Sequence, residues 1–164
     1  MDRADFVSRF GGVFEHSAWI AQRAFEAHEI PGHLSAEWLH HVLSGAFRSA
    51  SEDERMKVLR AHPDLAGKLA VAGELTVDSR HEQAGAGLDR LTEMEFARFV
   101  DLNTRYHAKF GFPFIIAVKG LNKAEILHAF ENRIHNSRQV EFETACHEVE
   151  KIASLRLNSM SFTE

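Results

Sequence analysis

The sequence predicts an all-α single-domain bundle of about eight or nine helices. Three observations carry that expectation. Apolar residues recur at three- and four-residue spacing from end to end, helix-capping residues precede most of these runs, and the one extended candidate, Phe112 to Val118, has no second strand to pair with. Taken in order, Phe6, Phe10, Val13 and Phe14 recur at helical spacing, as do Trp19, Ile20, Arg23 and Ala24 in the next segment, with only Gly11-Gly12 interrupting, so a short helix feeds a second. Ser35 can cap a helix whose apolar face is Trp38, Leu39, Val42, Leu43 and Phe47. Ser51-x-x-Glu54 is a capping box for a helix running to about Ala61, because Pro63 forces the residue before it out of the α region. A short helix and a turn fill the stretch from Gly67 to Ser79. Thr92-x-x-Glu95 opens a longer helix through Phe96, Phe99, Leu102, Asn103 and Tyr106, Asn122 caps one carrying Ile126, Leu127 and Phe130, and a last helix spans about Arg138 to Leu157.

At 164 residues the chain is read as one domain, 1–164, able to bury roughly two-thirds of its unfolded surface without disulfides or metals. The formal charge of -5 offers no basic stripe for a phosphate backbone, which argues against a nucleic-acid partner. No apolar run approaches the ~20 residues that cross a bilayer, which argues against a membrane partner. A single cysteine, Cys146, excludes an intramolecular disulfide and fits a reducing compartment. The first residues lack the apolar core of a secretion signal, and Ser161-Phe162-Thr163-Glu164 is not a peroxisomal tripeptide, so cytoplasm is the expected location.

Three segments put polar chemistry beside small or apolar residues. His62-Pro63-Asp64-Leu65-Ala66-Gly67 places an imidazole at a helix boundary, where its ordinary titration near ~6.5 suits proton transfer. A boundary histidine is also a common structural feature. Ser79-x-x-Glu82 reads first as a capping box, and equally as the opening of a helix whose N–H groups, with Ser79, Glu82 and Gln83, bind a polar heterocycle. Lys109 to Gly120 reads as core volume, or as an apolar wall whose irregular backbone finds partners in a ligand. Arg156 stands among Ile152, Leu155 and Leu157, where a guanidinium tends to face a carboxylate or a pocket. Gly85-Ala86-Gly87 lacks the third small residue and the preceding strand of a dinucleotide loop. Although there are eleven histidines, none has helical zinc-site spacing: His147-Glu148 is followed by Lys151 where a second histidine belongs, so no metal is expected.

Read together, Gly11-Gly12-Val13-Phe14-Glu15-His16-Ser17-x-Trp19, His62-Pro63-Asp64-Leu65, Ser79-x-x-Glu82-Gln83-x-Gly85-Ala86-Gly87-Leu88, Leu102-Asn103-x-x-Tyr106-x-x-Lys109-Phe110-Gly111-Phe112-Pro113-Phe114-Ile115 and Arg156-Leu157 form an ordered set. That set closely resembles the 2-oxo-4-hydroxy-4-carboxy-5-ureidoimidazoline (OHCU) decarboxylases of urate breakdown, over nearly the whole chain. The resemblance implies an all-α homodimeric enzyme that decarboxylates OHCU to (S)-allantoin without metal or organic cofactor, in a bacterial, cytoplasmic form. It implies that His62 and Glu82 are catalytic. It implies substrate contacts from Pro63, Ser79 and Gln83, from the backbone near Phe114, Ile115 and Ile116, and from Arg156. Ala18 departs from the family, whose members often have proline there. A cofactor-free route is chemically reasonable, since the substrate's conjugated ring can accept the electrons that CO2 leaves behind. Whether His62 or Glu82 delivers the final proton is open at this point. The rivals are a non-catalytic helical interaction module, which predicts an exposed apolar patch and a dispensable His62, and a lyase or hydrolase of a related ureide.

Overall fold

A computed structural model describes residues 1–67 and 73–162. The described residues hold eight helices and no strand, as the spacing predicts. They are α1 (Arg3–Phe10), α2 (Trp19–Ala27), α3 (Ala36–Arg48), α4 (Glu52–Ala61), α5 (Val77–Gly85), α6 (Glu93–Phe110), α7 (Lys123–Arg133) and α8 (Arg138–Asn158). The short helix expected between Gly67 and Ser79 falls largely on residues 68–72, outside the described residues.

Most of the capping residues do what their spacing implies. Ser35 accepts from the N–H of Trp38, Ser51 and Glu54 satisfy one another's backbone N–H groups, Thr92 accepts from Glu95, and Asn122 and Glu125 close a full capping box. Ala18 supplies no side-chain cap to α2, and its φ of -58° is one a proline ring would impose. One cap differs from expectation. Helix α5 begins three residues earlier than Ser79-x-x-Glu82 suggests, and its N-cap is Thr76, whose Oγ1 accepts from the N–H of Ser79 at 3.2 Å. Ser79 is therefore the third helical residue, and Glu82 lies in the body of the helix.

The chain divides into two compact units, Met1–Ala61 with Val149–Glu164, and His62–Glu148. In the first, Phe6 and Phe10 of α1, Ile20 and Ala24 of α2, and Leu39, Val42, Leu43 and Phe47 of α3 are buried, the stripe that the spacing marks. In the second, Tyr106 on α6 is fully buried among the rings of Phe110, Phe112, Phe114 and Phe130. Phe114 stacks on Phe130 at 3.9 Å between centroids. Phe96, placed by its spacing on the buried face of α6, is instead 39% exposed. Cys146 is buried on α8. Among the described residues no helix is long and apolar enough to cross a membrane.

Candidate active site

Helix α4 stops at Ala61, and the chain enters an irregular loop, 62–67, with His62 buried at its start and Pro63 and Asp64 half-buried. The loop makes no regular ladder, so its peptide groups need individual partners. Side chains supply them. Gln83 spans the loop, its Oε1 accepting from the N–H of Ala66 at 3.0 Å and its Nε2 donating to the carbonyl of Asp64 at 3.3 Å. Asn103 Nδ2 donates to the carbonyl of Leu65 at 3.0 Å, and His107 Nε2 pairs with Asp64 Oδ1 at 2.7 Å. The bridged Ala66 has φ +53°, in the left-handed region that costs an L-residue about 1–2 kcal/mol. A Cβ on Gly67 would stand 2.5 Å from that of Asp64, so the turn needs glycine there.

Ser79, Glu82 and Gln83 lie three and four residues apart on α5 and share one face. Ser79 and Gln83 are buried and Glu82 half-buried. Since Gln83 reaches the loop, this face is the one turned toward the segment that begins with His62. Two of the four hydrogen-bonding positions of the Gln83 amide are used on the loop, leaving one N–H and one lone pair. The Gln83 amide, which the resemblance implies as a substrate contact, is also a structural clamp on this loop. A cavity of about 600 Å³ lies beside α5, lined by Ala66, Leu75, Arg80, Gln83, Leu88 and Phe96 among others. Of the candidate catalytic and substrate-binding residues, Gln83 alone lines it, so the cavity flanks the chemistry-bearing face.

The apolar wall is the second irregular segment. Helix α6 ends at Gly111, whose φ of +76° requires a residue tolerant of the left-handed region, and whose N–H returns to the carbonyl of His107. Phe112 through Val118 then run without helix or strand, buried except for the half-exposed Ile116. The carbonyl of Ile115 accepts from Arg133 Nη1 at 2.7 Å, and the N–H of Ala117 donates to Glu148 Oε2 at 2.9 Å. Arg133 is held in turn. Its Nε donates to Glu141 Oε1 at 2.8 Å, its guanidinium lies 4.4 Å from the centroid of Phe114, and Glu141, fully buried, also accepts from Tyr106 Oη and Asn136 Nδ2. Burial, and then the hydrogen bond to the Glu141 carboxylate, push the Tyr106 hydroxyl far above the ordinary phenol range and keep it a donor. This network went unread in the sequence. Arg133 and Glu141 sit in no motif, and their eight-residue separation across a helix junction is not a spacing that signals contact.

Arg156 belongs to the first unit. It is buried, with Nη2 2.8 Å from Glu15 Oε2 and Nη1 donating to the carbonyl of Val13 at 3.4 Å. A guanidinium among apolar residues does face a carboxylate here. Among the described residues no group of three or more His, Cys, Asp or Glu side chains is placed to hold a metal ion.

Comparison with known proteins decides what this arrangement belongs to. The OHCU decarboxylase family model matches residues 1–158. The chain belongs to the OHCU decarboxylase family. It is an enzyme, a carboxy-lyase. It is 41% identical to the 2-oxo-4-hydroxy-4-carboxy-5-ureidoimidazoline decarboxylase of Halalkalicoccus jeotgali over 98% of this chain and 87% of that one. It is 40% identical to the enzyme of that name from Haloferax volcanii over 96% and 89%. Among solved structures, (S)-allantoin synthase superposes with a TM-score of 0.77 at 31% identity, covering 97% of this chain and 50% of that one. OHCU decarboxylase crystallised in the presence of (S)-allantoin gives 0.70 at 25% identity, over 88% and 92%.

Proposed function

We propose that this family member decarboxylates OHCU to (S)-allantoin in urate degradation by a cofactor-free route in which His62 and Glu82 handle the proton. The single observation that carries the assignment of roles is the Gln83 clamp. Through the carbonyl of Asp64 and the N–H of Ala66 it makes the His62 loop and the Ser79–Glu82 face of α5 one framework. It also holds Ala66 in a costly backbone conformation, a kind of strain that clusters at functional sites.

Cleavage of the bond to the carboxylate releases CO2 and leaves its electron pair on the ring carbon, where the conjugated ring accepts it. A proton must then be delivered to one face. An imidazole at His62 is suited to that delivery, and the Glu82 carboxylate to taking the proton of the substrate hydroxyl. Pro63, Ser79 and the remaining N–H of Gln83 hold the polar ring substituents, with the backbone at Phe114, Ile115 and Ile116 as the ring wall. For Arg156 the supporting facts are the family resemblance and a planar fork suited to a two-point hold on a carboxylate or ureido oxygen. The active form is a cytoplasmic homodimer, a reading that rests on the same resemblance.

The test generates OHCU in situ from urate and follows the optical activity of the allantoin formed. The (S) form should accumulate, at a rate insensitive to exhaustive chelation. Racemic product, or a rate lost to chelation and restored by one metal, would overturn the mechanism.

A further inference from the structure

We propose that Arg133 is a positioning residue of the reaction, aiming the N–H of Ile116 at the substrate; this rests on the reading of the Phe114–Ile116 backbone as the ring wall. The argument begins with one peptide plane. The carbonyl of Ile115 and the N–H of Ile116 belong to the same planar trans unit and point in opposite directions. Arg133 Nη1 takes the carbonyl at 2.7 Å, so the N–H of Ile116 is turned away from Arg133. That N–H has no acceptor among the described residues, although Ile116 is half-buried. Buried amide donors nearly always find partners, and one left over in a half-buried wall is suited to a ligand oxygen. A cation on the carbonyl end also polarises the peptide and strengthens the donor at its other end.

The rest of the network fixes the arginine itself. Glu141 takes Arg133 Nε at 2.8 Å, Tyr106 and Asn136 occupy the same carboxylate, and the Phe114 ring lies under the guanidinium. A buried charge pair is a poor device for stability alone but a good one for fixing a direction. The ligand class that fits the Ile116 N–H is a carbonyl, carboxylate or ureido oxygen on a flat ring.

The experiment titrates (S)-allantoin into the 15N-labelled full chain, follows the Ile116 amide resonance, and repeats the titration and the kinetics with Arg133→Lys. In the wild type the Ile116 amide should shift. Arg133→Lys keeps the charge but loses the fork and the flat stack on Phe114. It should weaken (S)-allantoin binding and raise KM by about tenfold or more, with kcat changed less and the Ile116 shift diminished. Wild-type affinity with an unchanged Ile116 shift in Arg133→Lys would overturn the positioning role while leaving the ring-wall reading intact. An Ile116 amide that does not move in the wild type removes the segment from the site, and the proposal with it. Should Arg133→Lys fail to fold, Glu141→Gln keeps one acceptor oxygen for Tyr106 and Arg133 but removes the charge that holds Arg133, at the cost of the Asn136 hydrogen bond as well. About twofold to tenfold weaker (S)-allantoin binding is then expected, and unchanged binding overturns the proposal.

Discussion

The two irregular segments of the second unit, 62–67 and 112–118, solve the same problem with different chemistry. Each lacks a ladder and must have its peptide groups satisfied one at a time. The His62 loop is held chiefly by neutral amides, Gln83 and Asn103, with one partly exposed His107–Asp64 pair. The Phe112–Val118 wall is held by charged groups, Arg133 and Glu148, the former anchored on a carboxylate with no solvent exposure. The difference teaches where each segment is vulnerable. An amide clamp can lose one hydrogen bond and leave no charge behind, whereas loss of Arg133 strands a buried carboxylate.

The largest expected effect tests whether the His62 loop is catalytic as well as clamped. His62→Ala should fold and yet lose on the order of 10²–10⁴ in kcat; an unchanged rate would reduce the loop to architecture. Arg133→Met attacks the charged anchor and should cost about 3–5 kcal/mol by denaturant melting, because Glu141 is left buried without its cation. If that variant melts like the wild type, the wall is not held as described. Asn103→Leu is the matching attack on the amide anchors. It should cost only about 1 kcal/mol, since the Leu65 carbonyl loses a donor while Asn103 Oδ1, which has no partner among the described residues, is removed with it. A loss as large as that of Arg133→Met would erase the contrast between the two segments.

A smaller effect separates cap from contact on α5. Thr76→Ala removes the N-cap and should lower stability by about 1 kcal/mol, whereas Ser79→Ala leaves the Thr76 oxygen in place and should lower activity with little change in melting. Melting losses in the reverse order would restore Ser79 as the cap. The smallest effect belongs to an exposed ion pair in the first unit, a baseline for both buried anchors. The Arg23 guanidinium, and after it the N–H of Ser51, hold the Glu54 carboxyl down at about 2 from its ordinary 4.5. The folded state therefore binds this proton less readily than the unfolded chain. Its contribution is present above about pH 4.5 and is lost as pH falls toward about 2, so the melting gap between wild type and Glu54→Gln should close over that interval.

Much of the helical fold was legible because its signals are local. Ser35, Ser51, Thr92 and Asn122 each act within one helical turn of themselves, and a three- and four-residue stripe such as Leu39, Val42, Leu43 and Phe47 records which side must be buried. The start of α5 was misread for a related reason. Thr76 and Ser79 are both competent caps three residues apart, and the choice between them depends on where the preceding chain leaves the helix. Phe96 carries the right spacing for burial, yet it lines a cavity, because nothing in a helix's own sequence says which neighbour covers each turn.

By itself the sequence determined an all-helical chain, the boundary at His62 that Pro63 enforces, the shared face of Ser79, Glu82 and Gln83, and an ordered motif set that pointed to the family. Tertiary structure alone decided the partners. Gln83 clamps a loop 17–19 positions earlier, Asn103 does so from 38 positions later, and Arg133 turns the Ile115 peptide from a helix end 18 positions away. Local propensity and periodicity fix which groups a residue offers and which way its helix faces them. Which acceptor each donor meets is fixed only when the packed rings of the core bring distant backbone within hydrogen-bonding reach, and no spacing rule in the chain encodes that meeting.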